Sequence, residues 1–253
     1  MSLSAISDAY KAEQNRLDAA AARELARIFP TLNLKDLDRT APGWSYAVEQ
    51  ATAKHYASSQ ALASDVYSDV RREAGALTRV SFVLPDMDAG KLRASLTWAG
   101  PGLGKRMMSE GGKIPDVARA LFSQTTATAL RIGGNGGREM IAATAKADPA
   151  SEGRYGYIRV PGPRACGFCA MVAMQTYNSM DTADGEFHDH DKCTALPRIG
   201  DAIPEGYADR VRDWEGVYGQ STVTKKNKRG IDVIDEKQTI RNMNRIMRER
   251  YGA

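Results

Sequence analysis

Cys166-Gly167-Phe168-Cys169 and, after eighteen intervening residues, His188-Asp189-His190-Asp191-Lys192-Cys193 form the stretch on which the reading of this chain turns. The protein has three cysteines and three histidines, and all but His55 fall between positions 166 and 193. A Cys-x2-Cys turn lets two thiolates converge on one ion at about 2.3 Å, with free amides nearby for the sulfurs. Cys193 and one imidazole would complete a tetrahedron. The candidate ligands are therefore Cys166, Cys169 and Cys193 with His188 or His190, and one structural zinc per chain is expected. Pro161, Gly162, Pro163, Gly167 and Gly185 make the segment turn-rich, and a metal can replace a core that such a segment does not build.

Other chemistries compete for these residues. A redox Cys-x2-Cys pair needs a βαβ setting and leaves Cys193 and the histidines unexplained. The papain-type signature wants an aromatic where Ala170 stands. A zinc hydrolase needs an open coordination position and an acid or base, for which Glu186 and Asp189 are at hand. Three thiolates favour a closed structural site instead. The plainest reading is three buried thiols and two surface histidines.

Outward from the cluster the chain is helical by pattern. Ile6, Tyr10, Leu17, Ala21, Leu25 and Ile28 recur at helical spacing over 3–29, and Pro30 ends that run. A second helix is expected from Pro42 to Gly75, with Trp44, Val48, His55, Leu62, Val66 and Val70 on one face. The two would form an antiparallel hairpin, able to dock in a partner's groove or simply to pack on its own domain. Residues 78–85 read as a strand or an extended connection, and 88–98 as a short helix before the glycine-rich 102–112. Another helix covers 115–132. Gly133-Gly134-Asn135-Gly136-Gly137 should interrupt it as a hinge before helix resumes over 138–147; no Gly-Lys-Ser/Thr follows to suggest a phosphate loop. Asp148-Pro149 marks a composition break. Beyond it come a strand at 155–160, irregular chain over 161–204, a helix at 207–218, a basic loop at 224–230 and a last helix at 235–250. The expected fold is mainly α with a small irregular α+β, zinc-stabilised C-terminal module. Its parts are a helical domain over 1–149, the metal module over 150–220 and a basic loop and helix over 221–253.

The charge is localised. The chain totals +4, and from Ser221 onward nine Lys/Arg face four acids, which puts +5 in the tail and −1 in the remaining 220 residues. A balanced body suits protein surfaces, and a basic tail suits phosphates or acidic patches. No apolar stretch approaches a membrane span, the N-terminus has no basic or apolar leader, and an odd cysteine count argues against a disulfide framework and for a reducing cytoplasm.

The run 163–173, then Tyr177-Asn178-Ser179, then 187–197 (Phe187-His188-Asp189-His190-Asp191-Lys192-Cys193-Thr194-Ala195-Leu196-Pro197) resembles the Mu F-like head morphogenesis proteins. These are minor head proteins of tailed bacteriophages, and the likeness is to the version found in actinobacterial phages. The specific likeness covers about 35 residues, and the remainder agrees in organisation. In that family the module often ends in two cysteines one residue apart. Here Asp191 stands at the first of those places, so the fourth ligand lies between His188 and His190. The resemblance implies a virion component of few copies, more than one per particle, assembled in the host cytoplasm. It would sit at the portal vertex or inside the head and act in head assembly, DNA packaging or ejection. Its partners would be portal or major capsid protein, with no membrane contact. Read from charge alone, the cations over 224–250 suit nonspecific contact with the phosphates of packaged DNA, an acidic patch on a partner, or a solvated basic helix face equally well. No catalytic residue is expected; the alternative is a zinc-containing hydrolase or nuclease.

Overall fold

The computed structural model describes residues 1–151, 156–161, 166–178 and 193–252. Helix α1 (Leu3–Ile28) starts on Ser2, whose hydroxyl accepts from the Ala5 amide at 3.3 Å. Helix α2 (Leu37–Glu73) runs back along it. The contacts fall in antiparallel order: Met1 with Glu73, Gln14 with Ser59, Asp18 with His55, Glu24 with Lys54. Helix α2 begins five residues before the expected start, so Pro42 lies within its second turn. There its missing N–H forfeits only one early backbone bond.

From Ala74 the chain crosses to α3 (Ala89–Thr97) as an extended connection without ladder partners. It is held to the helices by Val83 N–H donating to Thr144 Oγ1 (2.9 Å) and Gln60 Nε2 donating to the Pro85 carbonyl (2.7 Å). A wide turn at Trp98–Gly102 leads to α4 (Leu103–Ser109) and then α5 (Ile114–Ala147).

Helix α5 corrects the expected hinge, because it passes through 133–137 without a break. The glycines are there for proximity. A Cβ on Gly133 would lie 2.2 Å from His55 Nδ1, one on Gly136 2.2 Å from the Tyr56 carbonyl oxygen, and one on Gly137 2.8 Å from the Ser59 carbonyl oxygen. These positions recur at three- and four-residue spacing and so share the face turned to α2. Ser59 Oγ lies within hydrogen-bond distance of Gln14 Oε1 (3.0 Å), the Gly137 amide (3.2 Å) and the Gly134 carbonyl (3.3 Å), which ties three helices at one point.

The expected break at Asp148 is likewise a junction. Its buried carboxylate takes Arg71 of α2, the Tyr67 hydroxyl (2.9 Å) and the Ala150 amide (2.9 Å). Removing one partner of such a buried pair leaves an uncompensated charge, at a cost of about 3–5 kcal/mol.

Strand β1 (Tyr157–Val160) follows and pairs antiparallel with β2 (Thr194–Pro197), Tyr157 opposite Pro197 and Val160 opposite Thr194. Between them lies α6 (Gly167–Asn178), so the expectation of irregular chain over 161–204 is corrected in these segments. Helix α7 (Tyr207–Ser221) comes next. The expected basic loop is a hairpin, β3 (Thr224–Lys226) with β4 (Asp232–Ile234), which runs directly into α8 (Glu236–Tyr251).

Two apolar clusters fill the interior. One gathers Leu25, Leu32, Trp44, Val48, Leu92, Leu96, Val117 and Leu121 from α1 to α5. The other joins Ile6, Tyr10, Val66, Val70 and Ile141 to Ile158, Ala170, Leu196, Trp214, Met243 and Met247. The second cluster therefore crosses residue 149 and includes the last helix. Among the described residues, no helix is long and apolar enough to cross a membrane.

Candidate metal-binding module

Helix α6 opens on the Cys-x2-Cys sequence. Cys166 immediately precedes it, Cys169 lies in its first turn, and their Sγ atoms are 3.4 Å apart. Cys166 is half-buried and Cys169 buried, and both border the second apolar cluster. Residues 167–174 of the helix are apolar, with Ala170, Val172, Ala173 and Met174 all buried.

The last helix holds this turn in place. Asn244 Oδ1 accepts from the Gly167 amide at 2.6 Å, and a Cβ on Gly167 would approach Met243 Cβ and Cγ to 2.9 Å. An otherwise orphaned N-terminal N–H of α6 is thereby satisfied by a side chain 77 residues away. Residue 167 must be small because α8 lies against it.

Cys193 is buried where β2 begins. Arg138 Nη2 of α5 donates to its carbonyl oxygen at 3.0 Å, and Lys11 Nζ of α1 donates to the Pro161 carbonyl at 3.3 Å, just past β1. Burial pushes the Lys11 ammonium pKa below its usual value, with Arg210 acting in the same direction and Asp8 opposing it. Lys11 and Arg138 thus fasten the β1–β2 pair to α1 and α5. Tyr207 adds a third tie from α7, its hydroxyl donating to the Arg159 carbonyl at 2.6 Å.

Of the expected ligands, the structure brings Cys166 and Cys169 together. His188 and His190 lie outside the described residues, as do Glu186, Asp189 and Asp191. Among the described residues, no group of three or more His, Cys, Asp or Glu side chains could hold a metal ion. Among the described residues this segment is a β1–α6–β2 unit packed on the helical core with one thiol pair at its turn, and no metal site there supports the expected zinc stabilisation. Lys11, Arg138 and Asn244 went unnoticed in the sequence. Each is one of several polar residues in a helical pattern, and no spacing links it to the cysteines.

The model of the VG15 protein family matches residues 1–221. The chain belongs to that family. The VG15 family is phage-related, and the match spans the helical core, the β1–α6–β2 unit and α7. The hairpin and α8 lie beyond the matched residues. No curated protein and no solved structure matches the chain.

Proposed function

We propose that this VG15 protein is a structural minor head protein of a tailed phage, of the Mu F-like head morphogenesis type. It sits at the portal vertex or in the head interior and acts in assembly, DNA packaging or ejection. The observation that carries the reading is family membership over residues 1–221, a span that contains the Cys-x2-Cys to His/Cys sequence. The near-neutral body supports protein surfaces, portal or major capsid, as its main partners. The proposed role is not enzymatic.

The direct test compares mass spectra of DNA-filled particles and of empty proheads. The protein is expected in the filled particle at a few copies, and it should co-purify with portal or capsid protein. Absence from both particles would overturn the reading. So would peptidase or nuclease turnover by the purified chain that disappears in Glu186→Gln or Asp189→Asn.

One structural zinc per chain belongs to the same proposal. Cys166 and Cys169 fit half of such a site: their 3.4 Å separation is within about 0.4 Å of what two sulfurs near 2.3 Å from one tetrahedral ion require. Cys193 and His188 or His190 would complete the set. Bound zinc would tie the segment carrying Cys193 to the α6 turn, so that metal binding adds to folding free energy. Metal analysis should give about one zinc per chain. Cys166→Ser and Cys169→Ser should both release it and open residues 161–200 to protease. A metal-free wild-type protein whose protease resistance both variants share would refute the site.

A further inference from the structure

We infer that the exposed face of α8, with the tip of the β3–β4 hairpin, is a phosphate-contacting surface for duplex DNA that reads no base sequence. The inference deepens the head-protein reading, since such a protein works beside packaged duplex, and it rests on that reading only for its biological setting.

Thr239, Met243 and Met247 bury one side of α8. Lys237, Arg241, Arg245 and Arg248 are exposed at spacings of four, four and three, which aligns them on the other side. The stripe is roughly 16 Å long at 1.5 Å per residue. One strand of a duplex presents about five phosphates over that distance, at 3.4 Å each. Arg245 shares its charge with Glu249 (3.4 Å), whereas Lys237, Arg241 and Arg248 form no direct ion pair among the described residues, Arg241 acting on Asp235 only through its field.

The hairpin follows the same pattern. At its base Lys225 pairs with Asp235 (3.3 Å) and Lys226 with Asp232 (2.8 Å). At its tip Lys228 and Arg229 have no acidic partner among the described residues. The tip is fixed: Asn227 Oδ1 accepts from the Arg229 amide (2.8 Å) and the Ile231 amide (3.0 Å), and Gly230 takes a left-handed φ of 74°. Hairpin and stripe meet at Asp235, the N-cap of α8. Its carboxyl is held below the usual carboxylate range chiefly by the Gln238 amide, with Lys225 and Arg241 adding to the effect.

The chemistry selects duplex over the alternatives. Amide side chains that could read base edges are engaged internally: Asn242 with Ser221 and Gln238, Asn244 with Gly167, Asn227 with its own turn. These amides are thereby unavailable to adenine edges, which leaves the cations, whose contacts to phosphates carry no sequence information. Tyr251 is the one aromatic after Ser221, and its hydroxyl is bonded to Asp213, so the surface has no stacking platform for single strands.

Fluorescence anisotropy of the full chain against two unrelated short duplexes, across a salt series, tests this. Equal affinities are expected, with a log–log salt slope of roughly −4.5 for phosphates met by Lys228, Arg229, Lys237, Arg241 and Arg248. The combined variant Lys237→Gln, Arg241→Gln, Arg248→Gln should flatten the slope by about 2.7, and Lys228→Gln with Arg229→Gln by about 1.8, with helicity by circular dichroism unchanged. No binding at low salt, an unchanged slope in both variants, or tighter binding to polyglutamate than to duplex would overturn the inference. Particle co-purification of the same variants reads the head-protein proposal separately, because a variant blind to DNA should still enter particles.

Discussion

A methyl group on Gly136 would sit 2.2 Å from the carbonyl oxygen of Tyr56, an atom of the α2 backbone that no rotamer change can move. Alanine has the higher helix propensity by about 1 kcal/mol, so intrinsic preference alone would favour the substitution. Overpacking works the other way, at about 1–3 kcal/mol, and wins where the obstacle is backbone. Gly136→Ala should therefore lower stability by about 1–3 kcal/mol in denaturant titration. Gly134 is the control, since its added Cβ would meet only Gln14 Nε2, at 3.9 Å. Gly134→Ala should be neutral or raise stability by up to about 1 kcal/mol. Equal losses in both variants would show that the glycines serve flexibility rather than close approach. Gly167 belongs to the same class, with Met243 of α8 in the place that a side chain would need.

At the scale of elements, what could be read from the residues depended on whether one face of the element meets water. Helices α1, α7 and α8 show mixed faces, and their bounds fall within a few residues of the periodic pattern. Residues 167–174 of α6 are all apolar, so periodicity cannot reveal the helix, and the surrounding prolines and glycines suggest irregular chain. In α5 the clustered glycines mimic a hinge, because a sequence does not show whether a missing side chain leaves the backbone free or admits a neighbouring helix. Asp148-Pro149 looks like a linker for a related reason. An aspartate before a proline ordinarily marks a turn, and only the structure supplies Arg71 and Tyr67 around it. The candidate site was legible as chemistry in Cys166, Cys169 and Cys193. Its anchoring by Lys11, Arg138 and Asn244 was not, since those residues come from helices distant in sequence.

Across the whole molecule, charge and packing divide the chain differently. By charge, 221–253 is a separate basic tail; by packing, Met243 and Met247 belong to the same apolar cluster as Ile6 and Tyr10. Function in the tail is therefore best probed by charge substitution, because deleting it would strip the core. The shared cluster also imposes an order of events when the chain folds. The cluster built from Leu25 to Ile132 needs only α1 to α5, whereas the other must bring residues near 6 and near 247 together. Closing the larger loop costs more chain entropy, and contacts of high sequence separation form slowly. Pulse-labelled hydrogen exchange during refolding should find amides around Leu96 and Leu121 protected before those around Ala170 and Met243. Simultaneous protection would mean a single nucleus spans both clusters. In the expected order, the thiols of Cys166 and Cys169 stay accessible until α8 docks, so the turn that would receive a metal remains open until the fold is nearly complete.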